Sequence, residues 1–126
     1  MRKRDMNWRN MEIENIKDKL EKAIVAVATI NPNNRPHAIA IMYAKVKEGK
    51  IIITNNYMKS TIQNLKINPY VSLVFWEGKR GWEINGKVDY FDYGEWLDFV
   101  KNLPENKNEP VNGALVVSVE NIKELG

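Results

Sequence analysis

Short apolar runs separated by turn-forming residues predict that the chain is built mainly from β-strands. Asn31-Pro32-Asn33-Asn34 and Lys47-Glu48-Gly49-Lys50 are the clearest of the turns. Between such turns, the runs are rich in Val, Ile and aromatic residues, as strands usually are. The pattern predicts six strands, at residues 23–30, 35–46, 50–55, 70–76, 82–93 and 114–119.

Other segments follow the period of a helix. Ile13, Ile16 and Leu20 recur at a spacing that puts them on one face of a helix over residues 12–22. Further helices are predicted at residues 61–67 and 94–102, a short helical turn at 120–125, and a mobile polar loop at 105–110.

Together these elements predict a mainly β fold. Six strands with mostly hairpin connections favour an antiparallel sheet closed, or nearly closed, into a barrel, because closure removes exposed sheet edges. The helices would cap the ends of this barrel or fill a gap in it. Gly86 lies in the middle of a strand pattern, which indicates a bulge or a kink where the sheet bends.

Composition narrows the classes of function. A length of 126 residues suggests one domain, which we assign to residues 12–126, preceded by a basic and flexible tail at 1–11. The net charge is only +3, part of it in that tail, so nucleic-acid binding is not expected. No cysteine and a single histidine argue against disulfides and a structural zinc site. No apolar run is long enough to span a bilayer and no signal peptide opens the chain, which predicts a cytoplasmic protein.

The stretch around Lys59-Ser60-Thr61 carries the clearest candidate chemistry. It joins an apolar strand to a predicted helix, and Ser60 with Gln63 fits a capping box in which Ser60 is the N-cap. A helix start with free backbone N–H groups, two hydroxyls and a lysine can bind a phosphate. The alternative is an ordinary capped helix beside a solvated lysine.

The run from Ala23 to Val119 resembles the pyridoxamine 5'-phosphate oxidase-like split-barrel family of small flavin-binding proteins. The resemblance rests on motifs in the expected order: Ala26-Val27-Ala28-Thr29, Arg35-Pro36-His37, Ala40-Ile41-Met42-Tyr43, Gly49-Lys50-Ile51-Ile52-Ile53-Thr54, Lys59-Ser60-Thr61, Asn64-Leu65, Asn68-Pro69-Tyr70-Val71-Ser72-Leu73 and Gly86. It is closest to the single-domain members of the family that bind flavin mononucleotide (FMN).

The resemblance implies a six-stranded antiparallel split β-barrel with a few short helices, and a homodimer with flavins at the subunit interface. It also implies site residues. Lys59, Ser60 and Thr61 would bind the FMN phosphate; Ile41, Met42 and Tyr43 would line the isoalloxazine ring; Thr54 and Asn55 would border the ribityl chain.

Two further residues are assigned from their chemistry. Trp82 follows a glycine-flanked basic loop, and aromatic residues are enriched at interfaces, so we expect it to face the flavin of a neighbouring subunit. His37 has no Ser, Cys or carboxylate partner at a suggestive spacing and is assigned a structural or surface role.

The predicted function is that of an FMN-binding flavoprotein, active in electron transfer or as a small flavin-dependent oxidoreductase. No side chain is expected to act as acid or base, because the ring carries the redox chemistry. Residues 121–125 do not match the substrate-binding end of the family's oxidases, so pyridoxamine phosphate oxidation is not expected. The alternatives are a non-catalytic dimeric binding module of the same fold, and a deazaflavin in place of FMN.

Overall fold

The computed structural model describes residues 12–125, so the predicted basic tail at 1–11 lies outside the described residues. Within that range the chain forms seven strands, three α-helices and two short 3-10 helices. The strands are β1 (Val25–Ile30), β2 (Pro36–Ile41), β3 (Lys45–Lys47), β4 (Lys50–Asn55), β5 (Tyr70–Glu77), β6 (Arg80–Phe91) and β7 (Gly113–Leu125). The α-helices are α1 (Lys17–Lys22), α2 (Ser60–Ile67) and α3 (Glu95–Lys101), and the 3-10 helices are Ile13–Ile16 and Pro104–Asn106.

All seven strands belong to one antiparallel sheet, in the order β2-β1-β5-β6-β7-β4-β3. Only Met42, Tyr43 and Ala44 separate the two edge strands along the chain, so these edges come within about 14 Å of each other there. A flat sheet of seven strands would hold its edges about 29 Å apart. The sheet is therefore curled, and among the described residues no ladder pairs β2 with β3 across the gap.

The prediction of six strands is wrong because the predicted strand at 35–46 is two strands. Tyr43 has a φ of 63°, a left-handed conformation that interrupts extended structure. The chain leaves one edge of the sheet after Ile41 and joins the opposite edge at Lys45. Apolar residues continue through the break, so periodicity gave no sign of it.

The predicted helical turn at 120–125 is also wrong, because β7 continues as a strand to Leu125. From Ala114 to Leu125 it pairs with β6, except at Glu120, which is left unpaired where the register shifts between Asn85 and Gly86. A Cβ atom on Gly86 would lie 2.5 Å from the Ser118 carbonyl oxygen. The bulge that the sequence predicts at Gly86 is therefore present, and it requires the absence of a side chain.

Two apolar clusters hold the elements together. The larger one lies inside the curled sheet and includes Ile13, Ile16 and Leu20, the residues predicted to share the buried face of the first helical segment. The smaller one packs Leu97 and Val100 of α3 against the outer face of β4 and β7. No helix in residues 12–125 is long and apolar enough to cross a membrane.

Candidate functional site

A groove of about 700 Å³ lies where three connecting segments meet. These segments are β2 with the linker that follows it, the turn from β4 into α2, and the loop that follows α3. The residues that line the groove are His37, Ile39, Ala40, Ile41, Met42, Tyr43, Thr54, Asn56, Tyr57, Met58, Lys59, Ser60, Thr61, Glu105, Asn106 and Glu109.

The start of α2 forms one end of the groove. The helix begins at Ser60 with Lys59 as its N-cap, and no side chain of residues 12–125 caps it. The predicted capping box is therefore wrong: Ser60 is already helical, and the lysine side chain at the N-cap has no acceptor. The N–H groups of the first turn are left for a ligand.

Positive charge and hydroxyl groups surround these N–H groups. Lys59 and Ser60 are exposed, whereas Thr61 is buried. Among residues 12–125, no ion pair engages the Lys59 ammonium. An anion at this position would meet an unpaired cation, two hydroxyls and the positive end of a helix dipole.

Asn55 shapes the turn that presents this end of the groove. Its buried side chain accepts a hydrogen bond from the Met58 N–H at 2.7 Å and donates one to the Tyr90 hydroxyl at 2.9 Å. Both ends of the amide are thus bonded within the protein. Asn55 lies behind the lining rather than in it, and its contacts fix the path of the chain into α2.

An apolar wall runs along the groove from β2 into the linker. Ile41 is half-buried, whereas 57% of Met42 and 47% of Tyr43 are exposed. Large apolar side chains that stay this exposed next to a concave surface are available to cover a flat ligand or a partner. The left-handed conformation of Tyr43 turns the chain across the mouth of the sheet at this point.

Asn106, which the sequence assigned to a mobile polar loop, anchors the third side of the groove. This residue is buried, and its amide nitrogen donates to the Thr54 hydroxyl at 2.9 Å and to the Val100 carbonyl at 2.7 Å. Its amide oxygen accepts from the Asn56 amide at 3.1 Å. The loop is therefore bonded to both strand β4 and helix α3. In the sequence, only Pro104, which begins a 3-10 turn, indicated that this loop has a regular structure.

Two carboxylates accompany Asn106 on this side. Glu105 forms an ion pair with Lys45 at 2.9 Å, and this contact holds the pKa of the Glu105 carboxyl below its ordinary value. Within residues 12–125, no side chain donates a hydrogen bond to its other oxygen, Oε1, which is buried. Glu109 accepts a hydrogen bond from the Tyr57 hydroxyl at 2.7 Å, which raises the pKa of that phenol.

The structure brings together seven of the nine residues predicted for the site. They are Ile41, Met42, Tyr43, Thr54, Lys59, Ser60 and Thr61. Asn55 supports them from behind. Trp82 is separate: it is fully buried in the inner core, where its ring stacks on Phe75 at 5.1 Å, so it offers no surface to a neighbouring subunit.

The sequence reading missed the acidic side of the groove and gave His37 no part in it. His37 lines the groove because it shares β2 with the apolar wall. Among residues 12–125, no group of three or more His, Asp or Glu residues is placed to hold a metal ion. The geometry defines a ligand-binding β protein with an anion-binding end, an apolar wall and an acidic side.

Comparison with known proteins identifies the family. Residues 13–125 match the model of the pyridoxamine 5'-phosphate oxidase family, so the chain belongs to that family and the resemblance read from the sequence is confirmed. An uncharacterised protein of Methanocaldococcus jannaschii is 28% identical over 112 residues, which cover 84% of this chain and 75% of the relative. The pyridoxine/pyridoxamine 5'-phosphate oxidase of Microcystis aeruginosa is 27% identical over 106 residues, 75% of this chain. The chain spans only half of that enzyme's length.

Solved structures share the fold at low sequence identity. HupZ of Group A Streptococcus has a TM-score of 0.81 at 18% identity, covering 91% of this chain and 94% of the other. An FMN-binding protein of Syntrophomonas wolfei has a TM-score of 0.69 at 18% identity, with 90% and 91% covered. An F420 reductase has a TM-score of 0.67 at 20% identity, with 85% and 94% covered.

Proposed function

We propose that this protein binds FMN in the groove and uses it in electron transfer or as a small flavin-dependent oxidoreductase. One observation carries the proposal. Within residues 12–125, a helix start without a side-chain cap, a lysine without an ion pair and two hydroxyls lie in the same groove as an exposed apolar wall. An anionic group joined to a flat apolar ring matches both parts. Family membership and the fold shared with an FMN-binding protein support this choice of ligand.

The phosphate would bind at the start of α2. Lys59 would neutralise its charge, and the hydroxyls of Ser60 and Thr61 and the free N–H groups would donate hydrogen bonds to its oxygens. Asn55 would act indirectly, since its bonds to Met58 and Tyr90 hold this turn in place.

The ring would lie against Ile41, Met42 and Tyr43. These side chains would lose their exposed apolar area to it, and the gain would be about 25 cal/mol for each Å² removed from water. The groove volume falls within the range of about 300–1,000 Å³ that is usual for small-molecule sites. When bound, the flavin would supply the redox chemistry, and the protein would position and shield it.

Flavin titration tests the proposal. The wild-type protein is expected to quench FMN fluorescence, and the variant with Lys59→Ala and Thr61→Ala together is expected to bind FMN at least about 100-fold more weakly. This loss is the equivalent of roughly 3 kcal/mol for two phosphate contacts. Lys66→Ala is the matched control, because it removes a lysine from the last turn of the same helix. Unchanged affinity in the double variant would place the phosphate elsewhere.

The deazaflavin alternative is supported by the fold shared with an F420 reductase. Competition between FMN and F420 for the groove separates the two cofactors. The other alternative is a non-catalytic binding module, and a purified protein that is colourless and ignores both cofactors at high concentration would favour it.

A further inference from the structure

Helix α2 carries the anion-binding end of the groove, so its orientation decides where the N–H groups of its first turn point. These groups point along the helix axis and donate hydrogen bonds well only within a narrow range of distances and angles. The turn before the helix is fixed by the bond from the Met58 N–H to Asn55. The body of the helix needs a contact of its own.

A buried hydrogen bond joins the body of α2 to the sheet. The amide nitrogen of Asn64 donates to the Thr29 hydroxyl at 3.0 Å, and the two residues are only 3% and 2% exposed. Thr29 lies on β1, which is paired with β2 on one side and with β5 on the other. Among residues 12–125, no other side-chain hydrogen bond joins α2 to the sheet.

Asn64 lies one helical turn from Thr61, which lines the anion-binding end of the groove. Residues three apart are neighbours on one face of a helix, and both of these are buried. They are separated by about 4.5 Å along the helix axis. A shift or rotation of α2 at Asn64 therefore also moves the Thr61 hydroxyl and the free N–H groups of the first turn.

The other buried residues in the body of α2 hold it less directionally. Ile62 and Leu65 pack into the larger apolar cluster. Apolar burial has no preferred direction, whereas a hydrogen bond restricts both a distance and an angle. The net contribution of one such bond to stability is modest. Orientation of the helix is therefore the larger consequence of having Asn64 and Thr29 at these positions.

We propose that the hydrogen bond between Asn64 and Thr29 positions α2 so that its first turn meets the phosphate of the bound flavin. Both are positioning residues, because they lie outside the groove lining and act through Ser60, Thr61 and the free N–H groups. The inference rests on the proposed function, because it requires a phosphate at the start of α2.

Affinities for FMN and for riboflavin, which lacks the phosphate, test the inference by fluorescence titration. The wild type is expected to prefer FMN. Thr29→Val should lower the ratio of the two affinities at least about fivefold, an effect within the range of one hydrogen bond. Thr29→Ser keeps the hydroxyl and should keep the ratio. Ser118→Ala is the control, since it removes a hydrogen bond to Lys50 outside the groove lining, and it should also keep the ratio.

A second variant separates position from stability. Thr29→Val leaves the buried Asn64 amide without its acceptor, so it should also unfold at a lower urea concentration. Thr29→Val combined with Asn64→Leu replaces both partners by apolar side chains of similar shape, which should restore much of this stability. A positioning role predicts that the ratio of FMN to riboflavin affinity nevertheless stays low in this double variant.

The outcomes separate the two proposals. A wild-type ratio in the double variant would overturn the positioning role and leave FMN binding intact. Loss of the ratio in Thr29→Ser would overturn it as well, because the hydroxyl is still present. Equal affinity of the wild type for FMN and riboflavin, or binding of neither, would refute the phosphate site of the proposed function, and this inference with it.

Discussion

At the scale of single residues, Asn106 shows how a buried amide can order a loop that looks featureless in sequence. It connects Thr54 of β4, Asn56 of the following turn and Val100 of α3. Two of these contacts join the loop to other lining residues of the groove, and the third joins it to helix α3. The hydrogen bonds of one buried amide therefore help to fix the acidic side of the site.

Asn106→Ala is expected to lower the free energy of unfolding by about 2–3 kcal/mol, because it removes three hydrogen bonds of a buried amide, one of them fully buried and two partly buried. Urea denaturation measures the change. Asn33→Ala, an exposed asparagine in the β1–β2 turn, is the control and should shift stability by less than about 0.5 kcal/mol. A small effect of Asn106→Ala would mean that the loop is held by other contacts.

The ion pair between Glu105 and Lys45 makes the free energy of unfolding depend on pH. The pKa of Glu105 in the folded protein lies below the ordinary carboxyl value of 4.5, chiefly because Lys45 bonds to the charged form. The stabilisation is therefore fully present above the unfolded pKa and is lost as the pH falls through the folded pKa. Urea midpoints measured from pH 7 to pH 3 should fall less steeply in Glu105→Gln than in the wild type. Parallel curves would show that the ion pair contributes nothing in solution.

At the scale of elements, the linker between β2 and β3 turns one predicted strand into two edge strands. Its central residue, Tyr43, combines a left-handed backbone with a half-exposed ring that lines the groove. The linker thus spans the gap between the two edge strands, and Met42 and Tyr43 supply part of the apolar wall. A continuous strand here would not have brought the chain to the opposite edge of the sheet.

Substitutions at Tyr43 can separate the effect of its backbone conformation on stability from the effect of its side chain. Tyr43→Val is expected to cost about 1–2 kcal/mol of stability, since a β-branched residue strongly disfavours positive φ. Tyr43→Asn should be closer to the wild type, because asparagine tolerates this conformation. Chemical denaturation gives both values. Equal stability of the two variants would show that the backbone conformation of the linker is not a constraint.

At the scale of the whole molecule, the groove is open and part of its rim is formed by exposed apolar and aromatic side chains. Met42, Tyr43 and Tyr57 keep 57%, 47% and 75% of their surface exposed. A second copy packed over this rim would bury that area and shield a bound ring from water. We therefore propose that the protein works as a homodimer with the cofactor at the interface.

Light scattering should give twice the mass of one chain. Met42→Glu is expected to shift the protein towards monomer and to weaken FMN binding, because a charge would be buried in the interface. Ile67→Glu is the control: Ile67 is 69% exposed but lies at the far end of α2, outside the groove lining. A dimer that withstands Met42→Glu would place the interface on another surface.

The sequence by itself determined the elements whose signals are local. Strand periodicity and turn residues gave most of the strands, Gly86 marked the bulge, and Lys59-Ser60-Thr61 marked the start of α2. Each of these depends on residues that are neighbours along the chain. Seven of the nine predicted site residues also line the groove, and these were implied by the family resemblance, whose motifs are continuous segments of the chain.

Tertiary structure decided the features that join distant residues. Lys45 and Glu105 are 60 positions apart and Asn56 and Asn106 are 50 apart, so no local pattern could pair them. Trp82 follows a basic loop, and the sequence predicted that it would lie at a subunit interface. In the curled sheet its side chain is buried in the core, where it stacks on Phe75. The register and curvature of the sheet determine which face of each strand is buried. Both are fixed only once all seven strands have paired.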